Sequence, residues 1–539
     1  MSQKNYYKLI FILLFIIGTF LRLWHVDFGL PHSFYADEPE FAELAIKYTF
    51  ELKDIVTNNN WYKLIPISYV YGTFPSYVLT VFTILFTKIA GLINYAFDKT
   101  TLYIFMRSLT GILSLILIPT ISFLYYKLFK DKAGALLAFL LVALNWKLIA
   151  HAHYVNADIF ITVLLSLSFL SLYFYFQNEE EQPKNYLKRN TLFTLLTGIL
   201  FGLAVGTKIT SLIALPFYWY LFLRKKDFRS FFAFNFLILA VFMFTNPFSI
   251  IFASDFVFRI YSMSIKEAGL VFDSVDLNPF KYLIALSWIS TLPVFLIGLF
   301  GIFSTFRLKN FKSIKPFHIF LLGNFVIYLV FYSIQSRRVD RWLLPILPIL
   351  IIYASHGFST LYKFFYSYLS KKNSDILLAK FGLVLVGFSL SYYLYVAWII
   401  TTQFQRDTPK SAAYLWMQKN TDIQNPFIKT LAYTEEGLDP LNKLPYADVT
   451  QVSVYEGSGA SLAFPIDPYL YKYVILSSRP MDNFKRVPVV QKYPDYAKRW
   501  VNFEDIVTKS GDFKLIQQFK TTTPNLIPLS EVSIYENLK

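Results

Sequence analysis

The chain has 539 residues, 55% of them hydrophobic and only 16% charged, with a mean hydropathy of +0.44; soluble domains carry about 25% charged residues, so this is an integral membrane protein. Lys and Arg exceed Asp and Glu by 51 to 35, but no soluble segment interleaves a basic stripe with aromatics, so the excess reads as membrane topology and not as a nucleic-acid footprint. With no cysteine in the chain, disulfides, Cys-ligated zinc and thiol chemistry are excluded.

The N-terminal "MSQKNYYKLIFILLFIIGTFLRLW" joins basic residues to an apolar core, yet it lacks a small-x-small cleavage site and runs straight into Arg22, Trp24 and His25. It is expected to be an uncleaved first span. A span needs about 20 mostly apolar residues. Eleven stretches qualify: 8–24, 101–126, 133–150, 158–177, 191–206, 209–223, 228–247, 281–306, 316–334, 341–369 and 376–402. A further run, 73–93, is long enough but carries Pro75 near its start and Lys88 near its end. Charge decides its reading. The basic stretches at 125–132, 224–229, 307–315 and 370–375 belong in the cytoplasm. They all lie there if 73–93 is re-entrant or lies along the outer surface. The N-terminus is then cytoplasmic and the C-terminus outside.

The composition shifts near residue 403. Residues 403–539 hold charges, prolines and short strand-like runs at 473–478, 513–519 and 531–536, and "TPKSAAYLWMQKN" (408–420) reads as a helix with Thr408 as N-cap and Pro409 at the first position. Some 135 residues suffice for a small domain. The expected organisation is therefore an all-α polytopic membrane domain, 1–402, followed by a soluble extracytoplasmic α/β domain, 403–539.

On this topology the polar residues gather on the outer face. The first outer loop holds Asp37 and Glu38; "HAHYVNAD" holds His151, His153, Asn156 and Asp158; "GTKIT" holds Lys208; the 248–280 loop holds Arg259, Lys266, Glu267, Asp273 and Asp276. The turn "SRRVDR" adds Arg337, Arg338, Asp340 and Arg341, against the positive-inside rule. Ionisable groups at membrane depth mark function. A carboxylate beside an acceptor hydroxyl serves as general base. Arginine forks and a lysine hold a phosphate and stabilise it as it leaves. Together they suit attack by a hydroxyl on an anomeric carbon with expulsion of a lipid phosphate. Each residue also has a plainer role open to it. Asp37 and Glu38 can cap a helix, Asp158 can cap another, Lys208 can snorkel to the headgroups, and His151 and His153 can be interfacial side chains. No Walker A, dinucleotide, HExxH or GxSxG motif is present. A transporter or flippase for a lipid-linked amphiphile is the alternative, but the internal repeat expected of one is absent from the sequence.

The order of these motifs resembles a known family. A first span ending in an Arg-aromatic stretch, then "ADE" (36–38), "FMRSLTGILSLILIPTISFLYYKLFKDKAGALLAFLLVALN" (105–145), "HAHYVNADIFITVLLSLSFL" (151–170), "GILFGLAVGTKITSLIALP" (198–216) and "RRVDRWLLPILPILIIYAS" (337–355) are similar to the GT-C superfamily of polyprenyl-phosphate-sugar glycosyltransferases. The nearest branch is glycosyltransferase family 39, the protein O-mannosyltransferase-like enzymes, with the lipid A aminoarabinose transferases as relatives. The resemblance covers about residues 8–400. It implies a GT-C-like fold with juxtamembrane helices in the first outer loop and an inverting transfer to a lipid, glycan or protein acceptor. It implies Asp37 as catalytic base with Glu38 beside it, Asp158 as second acid, and Arg107, Lys208, Arg337 and Arg338 as donor-phosphate partners. His151 and His153 become candidate substrate contacts, and a divalent metal stays open. The chain departs from the family at "YGTFPSYVL", with its single Pro75 where the family has His-Pro-Pro-Leu or Lys-Pro-Pro. It departs again at 248–280, which is too short for the β-trefoil of the mannosyltransferases proper.

Overall fold

The computed structural model describes residues 3–31, 35, 37–66, 71–177, 183–262, 276, 278–307, 311–335, 337–369, 376–435, 440–452, 464–521, 524–527 and 529–539. Lys266, Glu267, Asp273 and the basic stretch 370–375 lie outside them, as does part of 307–315. Helices occupy all eleven apolar stretches read from hydropathy. Among the described residues, seven helices are long and apolar enough to cross a membrane, or nine if each of two bent pairs forms one span. The stretch 73–93 is a single helix, Phe74–Leu92, and is one of the seven. It is not a re-entrant loop. Its Pro75 sits in the first turn, where no helical hydrogen bond is lost. The stretch 209–223 differs in the other direction: a 3₁₀ turn, Ile209–Ala214, leads into the short helix Leu215–Arg224.

Both bent pairs have their freed backbone satisfied internally, as a low-dielectric surround demands. Between Lys132–Ala143 and Trp146–Ala152 the chain turns by 47°. Arg22, fully buried on the first helix (Gln3–Leu23), donates to the carbonyls of Val142 at 2.9 Å and Ala143 at 2.7 Å. Asn145 caps the second helix by accepting from the amides of Lys147 and Leu148. Its amide donates to Ile289 O, which lies at the other break, where Lys281–Ile289 meets Leu292–Thr305 at 107°. The helices Leu292–Thr305 and Leu347–Leu369 approach closely because small residues face each other: a Cβ on Gly301 would fall 1.8 Å from the Tyr353 carbonyl oxygen. Ala157–Gln177 lies at the centre of this bundle and is buried over most of its length.

After the last long helix, Ile376–Phe404, the chain builds a five-stranded sheet: β1 (Thr430–Glu435), β2 (Ala447–Val452), β3 (Tyr473–Ser477), β4 (Phe513–Phe519) and β5 (Val532–Asn537). Its order is β2-β1-β3-β5-β4, parallel across β2, β1 and β3 and antiparallel at β5 and β4. Alternation along the strands feeds two cores. Leu431, Tyr433, Val474 and Leu476 pack with Phe484, Trp500 and Phe503 on one face. Ala432, Ile475 and Ile534 pack with Ala413 and Met417 on the other. The second face is covered by Pro409–Asn420, capped by Thr408 as its sequence predicts. The three strand-like runs are β3, β4 and β5; β1 and β2 escape the sequence reading, as does the helix Pro494–Lys509.

Candidate active site

Five segments far apart in sequence meet where the long helices end, one of them the acidic loop with Tyr35 and Asp37. The loop Tyr71–Thr73 is laid on the turn after helix Pro183–Thr207. Gly72 N donates to Thr207 O at 2.9 Å and Thr73 N to Asn246 Oδ1 at 2.9 Å. A Cβ on Gly72 would fall 1.8 Å from the Gly206 carbonyl oxygen, so this approach needs glycine. The contact brings Tyr71 beside Lys208. On the third segment Asn156 ties off the turn before Ala157–Gln177, donating to His151 O and Tyr154 O and accepting from Ile159 N. Asn156 is therefore the cap, and the Asp158 side chain in the first turn is free to turn to other partners. The fourth segment is the 3₁₀ turn Asp340–Leu343, which presents Arg341.

Arg341 is the hub. Its Nη2 meets Asp37 Oδ2, its Nη1 donates to the Tyr35 hydroxyl, and its Nε lies 3.3 Å from Asp158 Oδ2. Asp158 takes Lys208 Nζ on its other oxygen at 2.9 Å. Asp37 Oδ2 also accepts from Tyr71 OH at 3.1 Å. The Lys208 ammonium lies 5.5 Å from the Tyr71 ring and 5.8 Å from the Trp342 ring. Asp158 is 2% exposed and Asp37 23%. Of the two carboxylates, Asp37 is thus the one a substrate can reach. It heads the helix Glu38–Thr57 but makes no side-chain cap to it, so helix capping does not account for its placement.

Glu38 points elsewhere. Its two oxygens grip Arg107, Nε at 2.7 Å and Nη2 at 2.6 Å, and neither side chain is exposed. Arg107 Nη1 completes the knot on the carbonyls of Val26 and Phe28, and Val155 N donates to Glu38 Oε1 at 3.1 Å. This pair ties the end of the first helix, the acidic loop and the turn before Asp158 together. Arg107 therefore has no fork left for a phosphate, and Glu38 does not share a site face with Asp37.

The remaining expected residues divide. His153 stands off the cluster: its ring nitrogens lie 2.8 Å from the carbonyls of Ile149 and Trp24, and its ring stacks on Phe404 at 3.8 Å. His151 is in it, edge-on to the Tyr35 ring at 5.9 Å. Arg338 lies at the rim, pairing with Asp340 at 3.0 Å and Asp276 at 3.7 Å. The Arg337 carbonyl accepts from Tyr282 OH at 3.1 Å. Tyr35, Tyr71 and Arg341 are residues that the sequence reading did not assign to the site. The signal for Arg341 was present: it is the arginine before the aromatic in "RWLLPILP". Among the described residues no three His, Cys, Asp or Glu side chains gather as a metal cage. Asp37 and Asp158 share Arg341, so any cation taken up there has to compete with a guanidinium.

The family model described as dolichyl-phosphate-mannose-protein mannosyltransferase matches residues 12–224, which include Asp37, Arg107, Asp158 and Lys208. Among solved structures, the chain is similar to ArnT from Cupriavidus metallidurans bound to undecaprenyl phosphate, with a TM-score of 0.54, 12% identity, and coverage of 99% of this chain and 98% of that one. This is the ArnT-like GT-C fold. Its apo form aligns over the same shares with a TM-score of 0.53 and 12% identity. The Archaeoglobus fulgidus oligosaccharyltransferase in complex with Zn and sulfate aligns with a TM-score of 0.50 and 12% identity over 90% of this chain and 71% of that one. No curated protein matches the chain in sequence. The GT-C resemblance read from the motifs is thus borne out, and the likenesses together support a multi-pass membrane glycosyltransferase.

Proposed function

We propose that the chain is an inverting glycosyltransferase that moves a sugar from a polyprenyl-phosphate donor to a hydroxyl acceptor on the outer membrane face. The observation that carries this is the reach of Asp37: a partly exposed carboxylate held in place by Arg341 and Tyr71, backed by a buried Asp158–Lys208 pair. Asp37 takes the proton from the acceptor hydroxyl. The acceptor oxygen attacks the anomeric carbon opposite the phosphate. The bond from that carbon to the phosphate oxygen breaks and its electron pair leaves with the lipid phosphate, inverting the centre. Cationic side chains beside the departing oxygen favour the charge that develops there. Arg341 and Lys208 lie at the site, Arg341 against both Asp37 and Asp158 and Lys208 against Asp158.

With the helix Phe74–Leu92 lying along the outer surface, the lysine and arginine distribution supports a cytoplasmic N-terminus, with the site and a 403–539 domain outside. The likeness to an ArnT bound to undecaprenyl phosphate and to a dolichyl-phosphate-mannose family supports a lipid-phosphate sugar donor. The test is a purified-protein assay with a panel of polyprenyl-phosphate sugars and hydroxyl acceptors. The expected product carries the sugar with inverted anomeric configuration. Movement of the intact donor between leaflets, with no transfer from any donor in the panel, would establish the transporter reading instead.

A further inference from the structure

We infer that Tyr35 and Tyr71 are positioning residues for Asp37: their hydroxyls hold the Asp37–Arg341 pair to a single point of contact, so that Asp37 Oδ1 stays free to take the acceptor's proton. This rests on the transferase reading above and names the reacting atom and its supports within that same site. Arginine and carboxylate frequently meet fork to fork, with two parallel hydrogen bonds, and Arg107 meets both oxygens of Glu38 in that way. The Asp37–Arg341 pair does not. Arg341 Nη2 meets Asp37 Oδ2, and Tyr71 OH donates to that same oxygen at 3.1 Å. Arg341 Nη1, which would make the second prong, donates to the Tyr35 hydroxyl instead, and Nε lies 3.3 Å from Asp158 Oδ2. Asp37 Oδ1 accepts no hydrogen bond among the described residues.

Both tyrosine rings are held from outside the pair. The Tyr35 ring stacks on Tyr154 at 4.6 Å and 20°, and the Arg107 guanidinium lies 5.5 Å from the Tyr154 ring. The Tyr71 ring lies 5.1 Å from Phe41, which stands one turn beyond Asp37 on the helix that Asp37 heads, and 5.5 Å from the Lys208 ammonium. The hydrogen bond from Gly72 N to Thr207 O fixes the backbone next to it. Packing therefore brings each hydroxyl to its partner, and loss of the hydroxyl leaves the ring anchored. A carboxylate turns easily about its last bond unless its oxygens are held. Two donors on Oδ2 hold it. Without the Tyr71 hydroxyl one donor remains, and the carboxylate can turn to lay both oxygens on Arg341. Without the Tyr35 hydroxyl, Nη1 is released to complete the fork. Either change engages Oδ1 and converts the pair to the closed form of Glu38–Arg107. A general base needs an oxygen within hydrogen-bond reach of the proton it removes, and Oδ1 is then no longer available.

The test measures single-turnover and steady-state transfer by the full chain in phosphatidylcholine nanodiscs, with the polyprenyl-phosphate sugar that the donor panel selects. Tyr71→Phe and Tyr35→Phe are each made alone and in an Asp37→Asn background, with a thermal melt on every preparation. Each single variant should lower kcat by about 10- to 100-fold, the share of one hydrogen bond to a charged group, and leave the donor KM and the melting temperature near wild type. In the Asp37→Asn background the same substitutions should lower the residual rate no further, because residues that act through one another are not additive. Tyr35→Phe carries the test should Tyr71→Phe fold poorly. A wild-type kcat in either folded variant, a loss confined to KM, or an equal further loss on top of Asp37→Asn would overturn the positioning role while leaving the transferase reading intact. No transfer by wild type from any donor in the panel would remove that reading, and the positioning role with it.

Discussion

Asp37 and Glu38 are neighbours in sequence, yet they enter two ion-pair clusters of opposite character. The Glu38–Arg107 knot is closed: both side chains are fully buried, and both glutamate oxygens and all three guanidinium nitrogens are used. The cluster around Asp37 is open. Its carboxylate is partly exposed, Arg341 is shared between two acids, and the buried His151 at its edge has an Nδ1 without a hydrogen-bond partner among the described residues. A closed network holds backbone segments in place and has nothing left for a ligand. An open network with partly used groups is what a reacting molecule can enter. Helical geometry sends the adjacent side chains to different sides, Glu38 inward to Arg107 on the helix Lys99–Leu115 and Asp37 toward Arg341 on the 3₁₀ turn.

The largest contrast should come from removing charge on each side of this boundary. Asp37→Asn keeps the shape but cannot take a proton, so transfer should fall about 10²- to 10⁴-fold while the melting temperature changes little. Initial rates and a thermal melt on one preparation decide this, and a wild-type rate would reduce Asp37 to a structural partner of Arg341. Arg107→Met should act the other way. It leaves Glu38 buried without its cation, and breaking such a pair costs about 3–5 kcal/mol. The expected outcome is a strongly lowered melting temperature or failure to accumulate in the membrane. A folded Arg107→Met protein with wild-type stability and a selective loss of donor affinity would return Arg107 to the donor site. Arg338→Ala should do least. Its pairs with Asp340 and Asp276 are at the rim and partly exposed, where an ion pair contributes about 0–1 kcal/mol. Stability and donor affinity should both stay close to wild type, and a large drop in donor affinity would place the donor phosphate at this rim.

Several features of the site were legible before any coordinates. Asp37, Asp158 and Lys208 stand out because an ionisable residue at the end of an apolar run needs a reason, and the structure brings all three together. His151 is drawn in with them. Arg107 and Glu38 carry the same signal, and they meet, but in a knot that serves the backbone. Pattern reading cannot separate these cases, because a charged residue in an apolar surround looks the same whether its partner is a substrate or another side chain. "SRRVDR" offers three arginines within five residues. The choice of Arg341 over Arg337 and Arg338 depends on which way a 3₁₀ turn presents its first side chains.

Composition and periodicity alone determined that this chain lives in a membrane, that its apolar stretches are helices, and that a strand-bearing segment follows residue 403, since lipid rewards long apolar runs and the pleat rewards alternation. Thr408 and Pro409 set a helix start by local chemistry that tertiary structure did not override. Only the packed structure decided that 73–93 is a continuous helix, that two helices break at Leu144–Asn145 and Ser290–Thr291, and that Arg341 meets both Asp37 and Asp158. Those outcomes depend on distant partners: Arg22 on the carbonyls of Val142 and Ala143, Asn145 on Ile289 O, and Gly72 laid against Gly206. A hydrogen bond across a hundred or more residues leaves no periodic trace in sequence, so which of two neighbouring carboxylates meets solvent is settled by the fold.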